Sequence, residues 1–456
     1  MKHRYIVTAI LLCTGILGCQ KQQDWLDIKT NKADVVPTKL SDYQALLDYS
    51  DDRMNSNYPY LPLVSTDDIL VNDQTWASGD QLSRNAYAWE PEIFDAVKTN
   101  DWSPMYATVS YTNICLEGLE KISRDATNAA AWDRVKGSAL FFRALADYLL
   151  LQEFSAPYDA SIAQTALGIV LRKSSDVNLP VKRATMAESW NAVIDDLKQA
   201  ETLLPDLPDI STRPSKWAVR GLMARVSLAM NDYTAAKAWA DKALQQNSYL
   251  LDFNTLSPAD TYPLPTIQTG NKEILFYAMT LASIYYITGG VDTLLYQSYT
   301  NNDLRKTFYF KPSGTQISFR GQYSGVLYPF SGIANNEIYL IRAEANARLG
   351  NTAAALTDLN SLLIKRWKTG TFTPVTASSA ADALIKILAE RRKELVFHGS
   401  ARWDDLRRLN REPAFAKTLT RFLNGKLISL PPGDKRYALP IPPYEIATSH
   451  IEQNPR

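Results

Sequence analysis

Apolar residues recur at spacings of three and four along much of the chain, which is the pattern of amphipathic helices packed on a common core. In the clearest case, Leu140, Ala144 and Tyr148 fall on one face. Another such segment begins after Thr185, a residue type that caps helix N-termini, and ends before Pro205. This spacing predicts helices over 40–47, 101–123, 132–154 and 186–203.

Two segments share a helix–turn–helix plan with small side chains on the inward face. They run from Gly221 to Ala236 and from Ile341 to Ala355. Small residues let paired helices approach closely, and Gly350 suits the left-handed conformation that ends a helix. This plan is typical of tetratricopeptide hairpins, although no uninterrupted repeat period is present. We therefore expect a mainly α fold in which tetratricopeptide-like hairpins form a right-handed superhelix.

The character of the sequence changes between about 249 and 332. Ten of the 24 tyrosines fall here, and prolines and glycines interrupt any regular period. Strand-like content is confined to Glu273–Thr280 and Lys306–Phe310. Because loops on a rigid scaffold often carry binding residues, we interpret this region as a loop-rich aromatic insertion with a few short strands. The alternative is that most of its tyrosines are half-buried edges of packed loops.

The first 18 residues have the plan of a secretory signal. Lys2 and Arg4 precede an apolar run that is too short to span a membrane. The run ends in Ile16-Leu17-Gly18-Cys19, which looks like a bacterial lipobox, where cleavage leaves the cysteine to carry a lipid. We therefore predict a signal peptide over 1–18, lipid attachment at Cys19, a tether over 19–40 and a single domain over 41–456. The alternative is an ordinary signal peptide with a chance cysteine.

Composition narrows the chemistry that the chain can perform. The formal net charge is +1, which gives no electrostatic argument for binding nucleic acid. With the predicted signal removed and Cys19 carrying the lipid, only His398, His450 and Cys115 remain, which cannot supply a His/Cys zinc site, and no nucleophile-elbow pattern lies near either histidine. We therefore expect neither an enzyme nor a cofactor. Calcium stays open, because scattered Asp and Asn residues would suffice for a site without an EF-hand pattern.

A series of motifs follows in a fixed order along the chain. Near the start, Cys19 is followed by Asp24-Trp25-Leu26-Asp27. The later motifs are Phe142–Tyr148, Leu167–Leu171, Arg183–Ala200, Asp303–Lys306, Glu337–Ala345, Glu390–Phe397, Arg402–Arg408, Pro440–Ile446 and Gln453–Pro455. Together they resemble the SusD/RagB family of outer-membrane nutrient-binding lipoproteins of Bacteroidetes, over essentially the whole mature chain. His398 and Ser449-His450 depart from the family pattern at single positions.

The charged motif over Glu390–Phe397 has two interpretations. Glu390 and Glu394 share a helix face, so they could form an acid/base couple. Arginines and glutamates at this density more often form an ion-pair network that joins two helices, and we favour that interpretation. The expected partners are Asp404, Asp405, Arg407 and Arg408, and His398 is expected to be a packing residue near a turn.

The resemblance implies a function and a location. SusD-like proteins hold a glycan, or in some relatives a peptide, on a shallow face built from loops. They act as a lid on a SusC-like TonB-dependent transporter, which implies non-catalytic capture and delivery of nutrient. The protein would be lipid-anchored in the outer membrane and face the exterior, with a periplasm-facing anchor left open. Alternatives are the same scaffold binding peptides or other nutrients, or a surface helical-repeat scaffold that binds protein partners.

Flat aromatic side chains suit sugar rings, whose C–H groups form apolar patches. The resemblance places the ligand loops after Ser65-Thr66-Asp67-Asp68 and in the aromatic insertion. Any one of these aromatics could instead be a core residue. The candidates, in order, are Trp76 with its polar neighbours Asn72 and Asp73, then Tyr286 beside Tyr285, then Trp89 and Tyr296.

Overall fold

A computed structural model describes residues 37–94, 100–267 and 269–456. Cys19, the signal over 1–18 and most of the tether over 19–40 lie outside these ranges, so they stay predictions. Among the helices in these ranges, none combines the length and the apolar run that crossing a bilayer requires.

Helices form most of the regular structure, as the spacing of three and four predicts. Several begin at caps that the sequence supplies. Thr185 and Glu188 form a reciprocal capping box, and Ser215 and Ser379 accept hydrogen bonds from backbone N–H groups one turn further on. The α-helices in chain order are α1 Leu40–Leu47, α2 Leu61–Ser65, α3 Asp73–Ser78, α4 Gln81–Tyr87, α5 Trp102–Leu119, α6 Ala129–Phe154, α7 Met186–Leu203, α8 Lys216–Ala229, α9 Tyr233–Gln246, α10 Ile284–Thr288, α11 Thr293–Gln297, α12 Leu304–Tyr309, α13 Asn335–Arg348, α14 Thr352–Leu363, α15 Ala380–Glu394, α16 Ala401–Leu409 and α17 Pro443–Ser449.

The strands are short and pair two by two in antiparallel ladders. In chain order they are β1 Ile69–Leu70, β2 Ile274–Phe276, β3 Gly290–Val291, β4 Phe310–Ser313, β5 Gln316–Phe319, β6 Ile333–Ala334, β7 Leu419–Leu423 and β8 Lys426–Leu430. β1 pairs with β3, β2 with β6, β4 with β5, and β7 with β8.

One strand prediction is right in place and the other is wrong. β2 lies inside the predicted segment Glu273–Thr280. The segment Lys306–Phe310 is instead the end of α12, and a strand begins only at Phe310. The reason is a cap: the Asp303 side chain accepts a hydrogen bond from the N–H of Arg305, which starts a helix in spite of the strand-like residues that follow.

The long helix α6 is the centre of the main core. Ala139, Phe141 and Leu150 are fully buried, and apolar residues surround most of the helix. A helix that is apolar all round has to be packed on several sides, and α5 and α7 flank it. From the insertion, Phe276 packs edge-on against Phe141 and Phe142, with ring centroids 4.9 and 5.7 Å apart. The insertion therefore shares the core of the helical scaffold.

The two helical hairpins of the repeated plan are α8–α9 and α13–α14. Asn231 turns the chain after α8 with φ of 60°, and Gly350 turns it after α13 with φ of 83°. α9 packs on α13, so the hairpins stack, and a second apolar cluster that includes Leu340, Leu359 and Ile387 joins α15 to them. The mainly α fold with tetratricopeptide-like hairpins is thus confirmed.

Buried ion pairs join the charged C-terminal motif to the insertion. Arg305 contacts Asp303 at 2.7 Å, Glu390 at 2.5 Å and Glu394 at 3.1 Å. Glu394 also contacts Arg366 at 2.8 Å, and both arginine side chains are fully buried. The ion-pair interpretation of Glu390 and Glu394 is therefore correct, with arginines of the insertion and of the chain after α14 as the partners.

The α16 residues expected to join this ion-pair network do so only in part. Asp405 pairs with Arg391 at 2.8 Å and with Arg408 at 2.9 Å, as predicted. For Asp404 and Arg407 the prediction is wrong: Asp404 accepts from hydroxyl groups at 3.1 and 3.3 Å, and Arg407 donates to backbone carbonyl groups. Burial raises the pKa of Asp404 to about 7 and lowers the pKa of Arg407 to about 10, so the surroundings oppose both charges.

His398 packs at the turn that follows α15, in agreement with the prediction. Its ring centroid lies 4.7 Å from that of Tyr323 and 5.4 Å from that of Phe330. Burial lowers its pKa to about 4, so the imidazole is neutral at physiological pH.

Candidate functional site

Two short helices, α3 and α10, are in contact and carry the first and second candidates for ligand binding. Asn72 caps α3, because its Oδ1 accepts from the N–H of Thr75 at 2.8 Å. Ser283 caps α10 in the same way through the N–H of Tyr286. The structure therefore brings together the two segments that the sequence singled out.

Tyr285 joins the two helices. Its hydroxyl donates to the carbonyl oxygen of Trp76 at 2.6 Å, and its side chain is only 1% exposed. A Cβ at Gly79 would collide with the Tyr285 ring, so the glycine lets α3 end against it. The prediction that Tyr285 contacts ligand is corrected, because the ring is covered and the hydroxyl is already hydrogen-bonded. Tyr285 supports Trp76 from below.

Tyr286 has a similar role on the other flank of α10. Its hydroxyl accepts from the side-chain amide of Gln322 at 2.6 Å, and the same amide donates to the carbonyl oxygen of Leu327. Its ring packs edge-on against Phe319 and Phe397. Because Tyr286 is 8% exposed, it fixes the loop around Leu327 instead of offering a ring face to a ligand.

Trp89 is a core residue. Its Nε1 donates to the carbonyl oxygen of Ser65 at 2.9 Å, and the guanidinium of Arg421 lies 4.2 Å from the ring centroid. The side chain is 4% exposed, so the prediction that it contacts ligand is corrected for the same reason.

Tyr296 is half-buried on α11. Its ring packs edge-on against Phe310, and the Lys306 ammonium lies 5.2 Å from the ring centroid. A cation therefore already lies near this ring. Among the described residues, no hydrogen bond or ring contact joins Tyr296 to Trp76.

Trp76, Asn72 and Asp73 remain at the surface and close together. Trp76 is half-buried and anchored by its Nε1, which donates to the carbonyl oxygen of Arg84 at 3.2 Å. Asn72 and Asp73 are exposed at the N-terminus of the same helix. Asp73 accepts from the backbone N–H of Asn424 at 2.9 Å. The helix therefore presents a fixed indole beside an amide and a carboxylate.

Three further exposed side chains lie on α10 or near it, and the sequence pattern did not single them out. Leu281, Ile287 and Tyr328 are each 45% exposed. Met279 bridges Phe330 in an antiparallel sense, and the N–H of Thr280 donates to the carbonyl oxygen of Pro329 at 3.0 Å, so Leu281 and Tyr328 each lie two residues from this bridge. No local sequence signal identifies them, because residues two apart on an extended segment share a face, whereas Phe330 is buried and Tyr328 is exposed. We define the α3–α10 face as Trp76, Asn72, Asp73, Leu281, Ile287 and Tyr328.

Ion pairs fix the segment that leads into α3. Asp67 contacts Arg402 and Lys417 at 2.7 Å each and Arg392 at 3.3 Å. Burial opposes the charge on Asp67, but these cations hold its pKa well below its usual range. Asp68 contacts Arg392 at 3.0 Å. Arg392 and Arg402 of the charged C-terminal motif thus hold the segment that precedes α3 in place.

Metal binding has no support in these contacts. Within residues 37–94, 100–267 and 269–456, no group of three or more His, Cys, Asp or Glu side chains could hold a metal ion. Asp67 and Asp68 face arginines and a lysine instead.

Two family models match the chain. A model described as starch-binding associating with outer membrane matches residues 24–228. A model described as SusD family matches residues 336–456. Trp76, Asn72 and Asp73 of the α3–α10 face lie in the first matched region. Arg392 and Arg402, which pair with Asp68 and Asp67, lie in the second.

Individual proteins give the same picture over nearly the whole chain. SusD-like protein P2 of Formosa agariphila is 23% identical, with 89% of this chain and 90% of that protein aligned. A SusD superfamily protein of Bacteroides thetaiotaomicron superposes with a TM-score of 0.72 at 23% identity, covering 92% of this chain and 100% of that one. A laminarin-binding SusD-like protein superposes with a TM-score of 0.64 at 17% identity, covering 92% and 99%. Motifs, family models and fold agree, and the chain belongs to the SusD/RagB family.

Proposed function

We propose that the protein is a non-catalytic carbohydrate-binding lipoprotein of the outer membrane. It captures oligosaccharides on the α3–α10 face and delivers them to a SusC-like TonB-dependent transporter, with a lipid on Cys19 as its anchor on the exterior of the cell. The observation that carries the proposal is the half-buried Trp76 held by Tyr285 beside the exposed Asn72 and Asp73.

The physical reason lies in preorganisation. A sugar ring offers an apolar patch of C–H groups and a rim of hydroxyl groups, which match an indole face and neighbouring polar side chains. Trp76 loses little freedom on binding because hydrogen bonds at its Nε1 and its backbone oxygen already fix it. Binding energy is then not spent on ordering the side chain.

The relatives support the class of ligand. The family model over residues 24–228 is described as starch-binding, and one neighbour with the same fold binds laminarin. Both ligands are polysaccharides, so we assign oligosaccharides to this chain ahead of peptides.

The carboxylates near Trp76 favour binding over hydrolysis. Glycoside hydrolysis needs two carboxyl groups that flank the scissile bond. Asp73 is engaged by the N–H of Asn424, and Asp80 accepts from both the N–H and the hydroxyl of Ser83. In the C-terminal motif, Glu394 is fully buried among arginines.

The test uses the full-length protein on a panel of immobilised starch, laminarin, xylan, mannan, pectin and host glycans. Retention of at least one polysaccharide without release of reducing sugar is the expected result. Retention of none overturns carbohydrate binding, and release of reducing sugar overturns the non-catalytic role. Purification in mild detergent tests the partner: a SusC-like transporter should co-purify, and a protein that always migrates alone contradicts delivery.

A further inference from the structure

The β7–β8 hairpin exposes a pair of apolar side chains. Phe422 is 68% exposed and Leu427 is 70% exposed, and the two lie directly opposite each other across the hairpin. Along β7 the residues alternate, so Leu419, Arg421 and Leu423 are buried while Phe422 points outward. The pair is therefore the outer surface of a strand whose other face belongs to the core.

The turn of this hairpin contacts the α3–α10 face. Asn424 has φ of 48° and Gly425 has φ of 75°, which is the conformation of a tight two-residue turn that matches strand twist. The N–H of Asn424 donates to Asp73 at 2.9 Å. The end of the hairpin is thus fixed to the helix that carries Trp76.

The hairpin and Trp76 also rest on one packed layer. The guanidinium of Arg421 lies 3.5 Å from the centroid of the Tyr87 ring and donates to the carbonyl oxygen of Tyr87. The Tyr87 ring packs edge-on against Tyr285 at 5.5 Å, and Tyr285 holds Trp76. A continuous series of contacts therefore joins Arg421, the neighbour of Phe422, to Trp76 through the two tyrosines.

We infer that Phe422 and Leu427 form a second apolar platform of the carbohydrate-binding surface, which contacts an oligosaccharide chain beyond the part held at Trp76. This inference rests on the proposed function. Phe422 lies two residues from the turn and Trp76 one helical turn from Asp73, so the two platforms are on the order of 10 Å apart. Chains of several sugar units reach both platforms, and a single sugar reaches one.

The surroundings of the pair suit a sugar better than a protein. On the same face of the hairpin, the next cross-strand pair is Thr420 opposite Ser429, and both are exposed. An apolar pair beside a pair of hydroxyl groups repeats the alternation of C–H and O–H groups along a sugar chain. A stable protein interface buries on the order of 1,000 Å² or more, which these short rows do not supply.

The experiment measures binding of an oligosaccharide size series by calorimetry, using the polysaccharide that the panel identifies. We expect Phe422→Ala and Leu427→Ala to lower affinity for the longest oligosaccharides about 5- to 20-fold and to leave the shortest unchanged. Trp76→Ala should lower affinity for both. Leu294→Ala, at a side chain 75% exposed on α11, is the matched control and should change neither. Thermal unfolding of each variant checks that the fold is intact.

Three results would overturn parts of this picture, and they are distinguishable. Wild-type affinity of both hairpin variants for long oligosaccharides overturns the second platform and leaves the proposed function standing. Loss of transporter co-purification with unchanged sugar binding also overturns it, because the pair is then a protein contact. A wild-type protein that retains no polysaccharide overturns the proposed function and this inference together.

A separate observation concerns the interior. Arg391 Nη1, His398 Nε2 and Asp404 Oδ1 are buried without a hydrogen-bond partner among the described residues. All three residues line one cavity of about 30 Å³ beside α16. Most buried polar atoms in folded proteins have a hydrogen-bond partner, and an ordered water or ion is one explanation for those that lack a partner from the protein.

We propose that this cavity holds ordered water. The guanidinium supplies a donor, the carboxyl oxygen an acceptor and the imidazole nitrogen a partner for either role, which is the set that one water satisfies. The volume exceeds the roughly 10–15 Å³ that a single water needs. An anion fits less well, because the three arginines of the lining, Arg225, Arg391 and Arg408, are each already paired with a carboxylate.

A crystal structure of the full-length protein at high resolution tests the site. We expect a peak of water strength within about 2.7–3.2 Å of at least two of the three atoms. An empty cavity, or a peak of chloride strength, overturns the proposal. In Asp404→Leu the larger apolar group should displace the water, and magnetic relaxation dispersion should then count fewer long-lived waters than in the wild type.

Discussion

The hydroxyl of Tyr285 donates to the carbonyl oxygen of Trp76 at 2.6 Å, joining residues that are 209 positions apart. This contact assigns different roles to two aromatics that look equivalent in the sequence. Part of the Trp76 side chain remains exposed to solvent, whereas the Tyr285 side chain is buried. Ligand binding at Trp76 should therefore depend on a residue that touches no ligand.

Trp76→Ala should lower oligosaccharide affinity about tenfold or more while the helical content stays unchanged. Removal of an aromatic anchor commonly costs about 1–2 kcal/mol or more of binding free energy. Titration calorimetry and circular dichroism provide the two measurements. Trp239→Ala is the control, because Trp239 is also half-buried but lies on α9. Equal affinities of the Trp76 variant and the wild type would remove Trp76 from the site.

Tyr285→Phe should weaken binding about 3- to 10-fold although the ring stays in place. The change removes only the hydroxyl, so the carbonyl oxygen of Trp76 loses a hydrogen bond worth about 1 kcal/mol. Gly79→Ala should act in the same direction, because its methyl group meets the Tyr285 ring. The same calorimetric titration measures both variants. Tyr286→Phe, which removes the bond to Gln322 instead, is the control. If it weakens binding as much as Tyr285→Phe, the support of Trp76 is not the cause.

Arg305→Met should lower the free energy of unfolding by about 3–5 kcal/mol. The substitution removes one buried cation from both Asp303 and Glu394 and leaves each with a single cationic partner, Lys393 and Arg366 respectively. Under-compensated buried charge is costly. Urea unfolding measures the change. Arg124→Met removes an exposed pair with Asp133 and should change stability little. A stable Arg305 variant would show that the remaining cations neutralise the cluster.

Stability should fall as the pH rises from about 5 to 8. Burial raises the pKa of Asp101 to about 7 and the pKa of Asp147 to about 8, whereas an aspartate in the unfolded chain has a pKa near 4. The folded state therefore binds more protons than the unfolded state over this interval, so each rise in pH favours unfolding until the folded pKa is passed. Urea unfolding at several pH values measures the slope.

Asp147→Asn tests the source of this slope. The amide stays neutral at every pH, so the variant should show a shallower decline and should be more stable than the wild type above about pH 8. An unchanged slope would mean that Asp147 does not carry the effect. Acid-induced loss of stability should persist in the variant, because arginines lower the pKa of Glu344 and Asp405 against the effect of burial.

The sequence predicts the helices well and the site only in part, for physical reasons. Thr185 marks the start of α7 at the predicted residue because capping is local chemistry. Helix α5 ends at Leu119, four residues before the predicted end at 123. The periodicity does not reveal that Tyr285 and Tyr286 both point inward, because their partners, Trp76 and Gln322, come from distant segments.

The resemblance to a family contributed what local patterns could not. It placed Trp76 in a ligand loop, and the structure leaves that residue at the surface. It gave no indication of Phe422, because a phenylalanine between Arg421 and Leu423 does not show from the sequence which of the apolar side chains faces solvent. Exposure and cross-strand register, which need coordinates, identify it.

The hydrogen bond between Asn424 and Asp73 has a consequence for biogenesis, because it spans 351 residues. Contacts of such high sequence separation close late in folding, after the intervening chain has found its place. This contact can therefore form only after the hairpin, 351 residues downstream of Asp73, has been synthesised. If the protein binds carbohydrate as proposed, retention should then report on molecules in which the hairpin has folded against α3.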